Sequence, residues 1–241
     1  MSLDAEIATP AGKRRFVRSL FATIADRYDV VTRLLSYGRD RQWKVRMVGM
    51  IGGHPATAVD LATGTGDIAA LLEARGIRTV GLDVTPRMIE LARARAGPAP
   101  GARFLVGDMV SLPFAAASFD LVTTGYGLRN VPDLRQAISE MHRVLRPGGQ
   151  AFSLDFNKPA NGAVRAVYLL YLEVVGALLG WMLHGDSRTY RYIPASIRRY
   201  PGAAGVAELM RHSGFRDVRV IPVLGGLMAI HHAQKPEELE T

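Results

Sequence analysis

The sequence predicts an α/β fold, and three observations carry this prediction. From residue 57 to residue 156, short apolar runs alternate with helical patterns, which is typical of a mainly parallel sheet covered by helices on both faces. The glycine turn Gly64-Thr65-Gly66 connects the first strand pattern to the first helix pattern. Near the end of the chain, two strand patterns flank Gly225-Gly226 and predict a hairpin. Together these features predict a Rossmann-like sheet of seven strands whose last strand is antiparallel.

Local signals set the order and the limits of the elements. Thr85 is expected to cap a helix that has Pro86 at its first position, and Pro132 is expected to open a later helix. Pro147-Gly148-Gly149 ends that later helix, and Gly214 ends the last one. The predicted strands span residues 57–62, 78–83, 102–106, 119–124, 150–156, 218–224 and 227–232. The predicted helices span residues 67–75, 86–96, 132–146 and 202–213.

Two further segments lie outside this alternation. Residues 13–51 carry apolar side chains at helical spacing and are broken near Tyr37-Gly38. Residues 157–200 interrupt the chain between the fifth strand and the last helix. We expect one domain over residues 1–241, in which residues 13–51 form an N-terminal helical lid and residues 157–200 form an inserted helical substrate-binding segment.

The inserted segment contains a long apolar stretch, Val164 to Leu183. Its length would allow it to cross a membrane, but Glu173 lies near its centre, where an acid costs about 2.5–3.5 kcal/mol on insertion scales. We therefore expect it not to span. It remains open whether the stretch is a core or cap helix, the apolar wall of a lipid-binding site, or a segment at a membrane surface.

Composition excludes several classes of site. The chain has no cysteine, which excludes disulfides, thiolate zinc sites and cysteine nucleophiles, and we expect no metal. The amino terminus lacks the apolar core of a signal peptide, so a cytoplasmic protein is expected. The net charge of +8 comes mostly from scattered arginines without a basic run, which argues against nucleic acid as a partner. Such a charge is also compatible with peripheral contact with an anionic membrane.

The first strand and its turn, Val59 to Asp67, indicate the kind of ligand. A dinucleotide places its pyrophosphate at the N-terminus of the helix, where Asp67 would repel it. The third glycine of the dinucleotide fingerprint is also missing after Gly66. A ligand with an adenine, a ribose and a cationic ammonium but no phosphate fits better. The sequence therefore predicts S-adenosylmethionine as the cofactor, with S-adenosylhomocysteine as the product.

Acidic residues at strand ends extend this site. Asp60 can bind the ammonium group directly or through water, and Asp83 can accept hydrogen bonds from both ribose hydroxyls. Asp108 can accept from the adenine amino group, while Met109 packs on the ring. Gly64 and Gly66 let the backbone approach the methionine part of the cofactor, and Gly125 falls near another strand end.

Several motifs resemble one family, the ubiquinone/menaquinone biosynthesis C-methyltransferases. The resemblance runs from about Arg18 to Lys235. It is carried by the segments Phe21–Asp29, Tyr126–Val131 and Tyr190–Ile197. The resemblance implies a class I methyltransferase fold and an aromatic, lipid-like acceptor such as a prenylated quinol. It also implies cofactor contacts at Thr65, Asp83, Asp108, Met109 and Gly125.

Methylation of a hydroquinone-like ring needs a group that raises the electron density of the attacking carbon, and a route for the departing ring proton. The candidates are Arg129, Asn130 and Tyr28, all within segments that resemble the family. Arg129 is expected to stabilise a phenolate or orient a water, because guanidinium stays protonated at neutral pH. The alternative for Arg129 is a salt bridge with a carboxylate.

Four alternative hypotheses stay open. In the first, the acceptor is another lipid or a natural product, since Gly176 to Arg188 matches the family poorly. In the others, the chain binds the cofactor without catalysis, methylates RNA, or is an NAD-dependent dehydrogenase. The sequence leaves the oligomeric state open, with a homodimer as one alternative.

Overall fold

The computed structural model describes residues 3–36, 38–97, 102–184 and 191–237. The chain forms one sheet with the strand order β3-β2-β1-β4-β5-β7-β6. The strands are β1 (Thr57–Leu61), β2 (Arg78–Asp83), β3 (Arg103–Val106), β4 (Phe119–Gly125), β5 (Leu145–Phe156), β6 (Arg216–Val223) and β7 (Met228–Gln234). Strands β1 to β5 pair in parallel, whereas β7 is antiparallel to both β5 and β6. The predicted sheet and its antiparallel last strand are confirmed.

Ten α-helices lie in the described part of the chain. They are α1 (Leu3–Glu6), α2 (Pro10–Ile24), α3 (Tyr28–Leu35), α4 (Asp40–Gly49), α5 (Asp67–Glu73), α6 (Pro86–Ala96), α7 (Leu134–Val144), α8 (Gly162–His184), α9 (Tyr192–Arg199) and α10 (Gly202–His212). A short 3₁₀ turn, Ala25–Arg27, separates α2 from α3. Tyr37 and Tyr190, which belong to motifs of the sequence analysis, and part of the stretch from 176 to 188 lie outside the described residues.

Apolar side chains cover both faces of the sheet because neighbouring strand residues point to opposite sides. Val59 and Val122 belong to a buried cluster that includes residues of α7 and α10, such as Met141 and Met210. The adjacent Ala58 and Leu121 belong to a second cluster with residues of α4 and α5. The sheet is therefore the middle layer between two helical layers, as the alternating pattern predicts.

Helix α7 differs from its prediction at both ends. Its N-cap is Asp133, whose carboxylate accepts a hydrogen bond from the Gln136 N–H at 3.0 Å, so the helix starts two residues after Pro132. It ends at Val144 because Leu145 already pairs with Phe119 as the first residue of β5.

Helix α6 begins after Thr85 with Pro86 at its first turn, as predicted, but the Thr85 hydroxyl makes no cap bond. The Gly225-Gly226 hairpin turn is confirmed, with both glycines at positive φ.

The strand order reverses between β1 and β4. From β1 the chain builds outward through β2 to β3, and then crosses back to place β4 on the other side of β1. Ligands of open α/β sheets bind at the carboxyl ends of strands beside such a reversal. Helices α2, α3, α8 and α9 supply side chains above this end of the sheet.

Candidate active site

Two cavities adjoin one another at the carboxyl ends of β1, β2 and β4. The space not filled by protein atoms, including solvent at the open mouths, is about 670 Å³ for the first cavity and about 640 Å³ for the second. The two cavities share the wall residues Phe21, Tyr28, Tyr126 and Asn130. A molecule in one cavity would therefore lie next to a molecule in the other.

Asp83 is fixed in the wall of the first cavity. One of its oxygens accepts a hydrogen bond from the Gly64 N–H at 3.0 Å, and the other accepts from the Thr85 N–H at 2.8 Å. Burial raises the pKa of Asp83, although these backbone donors partly oppose the effect. Gly64 adopts a φ of +56°, in the left-handed region that favours glycine. The turn and the carboxylate therefore hold one another in place.

Asp108 and Met109 line the first cavity on the β3 side. One Asp108 oxygen accepts from the Val110 N–H at 3.1 Å. The other lies 3.0 Å from Arg14 Nε on α2. Met109 is buried and contributes to the core below the cavity. No local sequence pattern points to Arg14, because its partner Asp108 lies far along the chain.

Glycines form the floor where β4 ends. A Cβ on Gly125 would lie 2.7 Å from Ile68 Cδ1, and one on Gly127 would lie 2.3 Å from Thr124 Oγ1. Between them, Tyr126 has a φ of +60°, and its hydroxyl donates to Asp40 Oδ1 at 2.7 Å. This turn brings the backbone close to both cavities.

Asp60 lies beneath the glycine turn and not in a cavity wall. Its two oxygens accept hydrogen bonds from the hydroxyls of Thr63 at 2.6 Å and Thr123 at 2.7 Å, and its side chain is fully buried. Burial raises the pKa of Asp60 to about 6. In this arrangement the Asp60 carboxylate stabilises the turn through its two threonine partners. It does not face a cavity in which it could contact an ammonium group directly.

Thr65 and Gly66 also support the turn from outside the cavities. The Thr65 hydroxyl donates to Asp29 at 2.9 Å and accepts from Arg95 at 3.2 Å. Gly66 caps α5 with a φ of +87°, and a Cβ there would lie 3.1 Å from the Phe104 ring. Neither residue is among the described residues that line a cavity, so the backbone approach at Gly66 and the contact at Thr65 stay predictions.

Asp67 starts α5, but two cations compensate its charge. Its oxygens lie 2.8 Å from Lys44 Nζ and 2.6 Å from Arg95. Burial opposes its ionisation, but these two cations outweigh burial and lower the pKa of Asp67. The repulsion of a pyrophosphate that was expected from Asp67 is therefore weakened by these two cations. Among the described residues that line the first cavity, the only lysine or arginine is Arg14.

Arg129 presents a buried cation to the second cavity. Its guanidinium lies 3.4 Å from Asp155 Oδ1, donates to Ser196 Oγ and sits 4.9 Å from the centre of the Phe156 ring. The Arg129 N–H also donates to Asp155 at 3.0 Å. Burial raises the pKa of Asp155, against the opposing effect of Arg129. Arg129 thus forms the salt bridge that the sequence analysis considered and lines a cavity as well.

Asn130 stands in the wall between the cavities with one unpaired polar atom. Its Nδ2 donates to the Tyr126 carbonyl at 2.7 Å. Its buried Oδ1 has no hydrogen-bond partner in the described part of the chain. An unpaired buried acceptor costs about 1–3 kcal/mol. The atom is therefore available to a donor on a bound molecule.

Tyr28 lines both cavities from the start of α3. Burial raises the pKa of Tyr28 to about 12. The hydroxyl therefore stays protonated at neutral pH and can donate a hydrogen bond, whereas it is a poor general base.

The second cavity is mainly apolar, with few polar side chains besides Arg129 and Asn130. Aliphatic and aromatic groups from the N-terminal helices, α9 and the sheet form most of its wall: Leu20, Phe21, Ile24, Val31, Leu35, Trp43, Phe156, Tyr192, Ile193 and Met228. Such a wall suits an aromatic ring with an apolar substituent.

The first cavity fits S-adenosylmethionine. It offers a fixed carboxylate at the end of β2 for a ribose, the Asp108 carboxylate and the Met109 side chain for an adenine, and backbone at Gly64 for the methionine part. The one lysine or arginine in its described wall, Arg14, is already paired with Asp108. Asn130, whose Oδ1 is unpaired, lines both cavities.

Comparison with known proteins gives concordant results. The model of the ubiE/COQ5 methyltransferase family matches residues 9–235. The chain is 40% identical over 222 residues to the demethylmenaquinone methyltransferase of Thermus thermophilus, covering 90% of this chain and 100% of that protein. It is 39% identical over 228 residues to the 2-phytyl-1,4-naphtoquinone methyltransferase of Thermosynechococcus vestitus, covering 91% and 99%.

Solved structures share the fold at low sequence identity. A SAM-dependent methyltransferase from Thermotoga maritima has a TM-score of 0.66 at 19% identity, over 91% of this chain and 99% of that one. Phosphoethanolamine N-methyltransferase 2 of Haemonchus contortus, solved with S-adenosyl-L-methionine, has a TM-score of 0.62 at 15% identity, over 98% of this chain and 59% of that one.

Proposed function

Because this chain belongs to the ubiE/COQ5 methyltransferase family, we propose that it methylates a ring carbon of a prenylated quinol. The enzyme is an S-adenosylmethionine-dependent methyltransferase of class I. One observation carries the choice of acceptor: an apolar cavity with a buried arginine adjoins the cavity lined by Asp83 and Asp108, and Tyr28 and Asn130 line both. The relatives named for demethylmenaquinone and for 2-phytyl-1,4-naphtoquinone support this acceptor class.

We assign the cofactor to the first cavity. Asp83 would bind the ribose hydroxyls. Asp108 would accept a hydrogen bond from the adenine amino group, either beside its ion pair with Arg14 or after that pair opens. Met109, Gly64 and Gly125 would shape the remaining wall. Asp60, Thr65 and Gly66 act indirectly, because they fix the turn whose backbone borders the cavity.

The acceptor ring is assigned to the second cavity, beside Arg129. Bound S-adenosylmethionine supplies an activated methyl group, so the protein must position the ring and increase its nucleophilicity. Holding both molecules in neighbouring cavities can lower the barrier by about 7–11 kcal/mol. The Arg129 guanidinium would stabilise the phenolate that remains when a ring hydroxyl gives its proton to solvent, and low polarity strengthens this interaction. Once the ring carbon holds the new methyl group, the proton on that carbon would leave to solvent, which restores the aromatic ring. Asn130 Oδ1 can accept from a ring hydroxyl, and the Tyr28 hydroxyl can donate to a ring oxygen.

The segments around the second cavity suggest how a lipid-like acceptor is enclosed. We infer that residues 13–51 act as the N-terminal lid and residues 157–200 as the substrate-binding insertion of one domain. Phe21 and Tyr28 come from the first segment, and Tyr192 and Ile193 from the second. A prenyl tail is insoluble in water, so we also propose a cytoplasmic enzyme that contacts the inner face of the membrane peripherally.

The test is transfer from labelled S-adenosylmethionine to candidate quinols. The purified chain is incubated with demethylmenaquinol and with demethylated ubiquinol precursors, and each product is identified by mass spectrometry. We expect a gain of one methyl group on the ring of at least one acceptor. Cofactor binding without transfer to any quinol would instead favour another lipid or a natural product as acceptor.

A further inference from the structure

Helix α8 carries a long apolar face that nothing in the described protein covers. The first six residues of this face lie three or four positions apart, and all seven are 48–70% exposed: Val164, Val167, Leu170, Val174, Leu178, Trp181 and Met182. Residues Gly162–Met182 have a mean hydropathy of 1.7 with 18% of the stretch buried, so length and composition alone would allow a membrane span. Exposed apolar patches of this kind in monomeric proteins usually mark interaction sites.

The opposite face of α8 packs on the protein, which fixes its orientation. Tyr168 and Leu172 are buried against Ile197 of α9. Glu173 forms an ion pair with Arg198 of α9. A membrane-spanning α8 would lose these contacts and carry Glu173 into hydrocarbon. The helix therefore lies along the protein surface, with one side against the protein and one side free.

Helix α8 packs on the wall of the second cavity. Val175 of α8 packs with Ile24, Val31 and Leu35, which line that cavity. Helix α3, which supplies Val31 and Leu35, also carries exposed apolar side chains, because its Val30 and Leu34 are 52% and 49% exposed. We call the seven exposed residues of α8, together with Val30 and Leu34, the docking face. Helix α8 therefore has this exposed face on one side and contacts the wall of the proposed acceptor site on another.

Charge around the docking face favours an anionic partner. The two acidic residues of α3, α8 and α9, Asp29 and Glu173, are each paired with an arginine. Further arginines, Arg33 and Arg191, are exposed on or beside these helices. A surface with an apolar centre and arginines around it matches a bilayer of anionic lipids.

We propose that the docking face seats α8 in the plane of an anionic lipid bilayer, so that the acceptor enters the second cavity from the membrane. The proposal rests on the proposed function for the identity of the acceptor, since a prenylated quinol resides in the bilayer. The docking itself depends only on the surface of the protein.

Tryptophan fluorescence provides a direct test on the full chain. Trp181 is 67% exposed on the docking face, whereas Trp43 is buried in the core. Addition of vesicles of phosphatidylglycerol and phosphatidylcholine should shift the Trp181 emission to shorter wavelength. Trp181→Phe should abolish the shift but keep vesicle co-sedimentation. Vesicles of phosphatidylcholine alone should bind more weakly.

A paired substitution tests the surface itself. Val167→Asp with Val174→Asp should reduce vesicle partitioning by at least about tenfold, because two charges enter the apolar face. The matched control is Val220→Asp, which places an acid at another exposed valine, 39% exposed on β6, and should leave partitioning unchanged. Methylation of a short-tailed, water-soluble quinol should be retained in the paired variant, whereas methylation of a long-tailed quinol in vesicles should fall.

Two results would overturn the proposal. The first is unchanged vesicle binding in the paired variant. The second is a wild-type dimer that becomes a monomer in the paired variant while vesicle binding persists, since a second copy would then cover the face. The vesicle assays contain neither cofactor nor acceptor, so they stand apart from the proposed function. Loss of binding in the paired variant supports the docking face even if no quinol is methylated.

Discussion

Arg129 is the residue whose surroundings combine structural and chemical roles. Its guanidinium is 5% exposed, paired with Asp155 and Ser196, and still part of the second cavity wall. A buried cation held on two sides cannot swing away from a developing negative charge. This fixed position is what makes it suitable for stabilising a phenolate.

Arg129→Ala should lower turnover by about 10²–10³-fold, the usual effect of removing one preorganised donor. The affinity for S-adenosylhomocysteine should change little, because Arg129 lines only the second cavity. Turnover and calorimetric binding are measured on the same preparation. An equal loss of turnover and of S-adenosylhomocysteine affinity would contradict a catalytic role for Arg129.

Two variants control for the structural role of this arginine. Arg129→Ala leaves Asp155 buried without its cation, so Arg129→Ala with Asp155→Asn tests whether the uncompensated charge causes the loss. Arg129→Lys keeps a charge but not the planar fork that reaches both Asp155 and Ser196. We expect the double variant to regain stability without activity, and the lysine variant to have intermediate turnover.

Asp60 should make stability depend on pH. Burial raises the pKa of Asp60 from 3.8 to about 6, so the folded state holds a proton that the unfolded state has lost between these values. Its contribution to stability is full below pH 4 and is lost as pH rises through 6, by up to about 3 kcal/mol. Asp60→Asn should therefore gain stability relative to wild type between pH 4 and pH 7. Urea unfolding of Asp60→Asn and wild type at pH 4 and at pH 7 measures this gain. The same stability difference between the two proteins at both pH values would contradict the raised pKa of Asp60.

At the scale of elements, ion pairs fasten the N-terminal helices to the core. Helix α2 contributes Arg14 to Asp108, and the following turn contributes Asp26 to Arg87. Lys44 on α4 is the most buried of these charges, at 7% side-chain exposure, between Asp40 and Asp67. Burial lowers its pKa, but the two carboxylates outweigh burial and raise it. Lys44 thus joins α4 to the start of α5, next to the glycine turn.

Lys44→Met should destabilise the fold by about 3 kcal/mol, because it leaves two partly buried carboxylates without their shared cation. The change keeps most of the side-chain volume, so packing is largely retained. Chemical unfolding measures the effect. Arg87→Met is the matched control: the pairs of Arg87 with Asp26 and Glu90 are solvent-exposed, so their loss should cost much less stability than the loss of Lys44. Similar losses in both variants would contradict the special position of Lys44.

The elements themselves were largely predictable, whereas these attachments were not. Strands such as β1 and β4 and helices such as α6 follow from local periodicity and turn residues, which act over a few positions. The predicted start of α7 at Pro132 was wrong. Both Pro132 and Asp133 favour a helix start, and the capping bond from the Gln136 N–H to Asp133 places it after Asp133. The pair Asp26–Arg87 joins residues 61 positions apart, and no local pattern selects one arginine among many.

The same limit applied to the site. Asp83 and Asp108 could be placed at the first cavity because strand ends of a parallel sheet converge. Asp60 and Asp67 flank the same glycine turn, but the orientation of their carboxylates depends on their partners. These are Thr63 and Thr123 for Asp60 and Lys44 for Asp67, and only the folded chain brings them together. The docking face required the structure, since the sequence alone could not decide which side of α8 is covered.

For the whole molecule, the first cavity joins two parts of the fold. Arg14, Val17 and Tyr28 close it from the N-terminal helices, while Asp83 and Asp108 close it from the sheet. A ligand bound there contacts both parts and should stabilise them together. S-adenosylhomocysteine at one hundred times its dissociation constant should stabilise the folded state by about 2.7 kcal/mol. For a chain of this size that corresponds to a rise in melting temperature of roughly 5–10 °C.

Calorimetry and hydrogen exchange test this coupling. With S-adenosylhomocysteine we expect one transition at higher temperature and slower amide exchange in both α2–α3 and the ends of β2 and β3. NAD at the same concentration should produce neither effect, because the one cation in the described wall, Arg14, is already paired with Asp108 and is not free to bind a pyrophosphate. Protection confined to the sheet would show that the N-terminal helices do not close on the cofactor. In that case Arg14 and Tyr28 would lose their place in the binding site, while the assignment of Asp83 would stand.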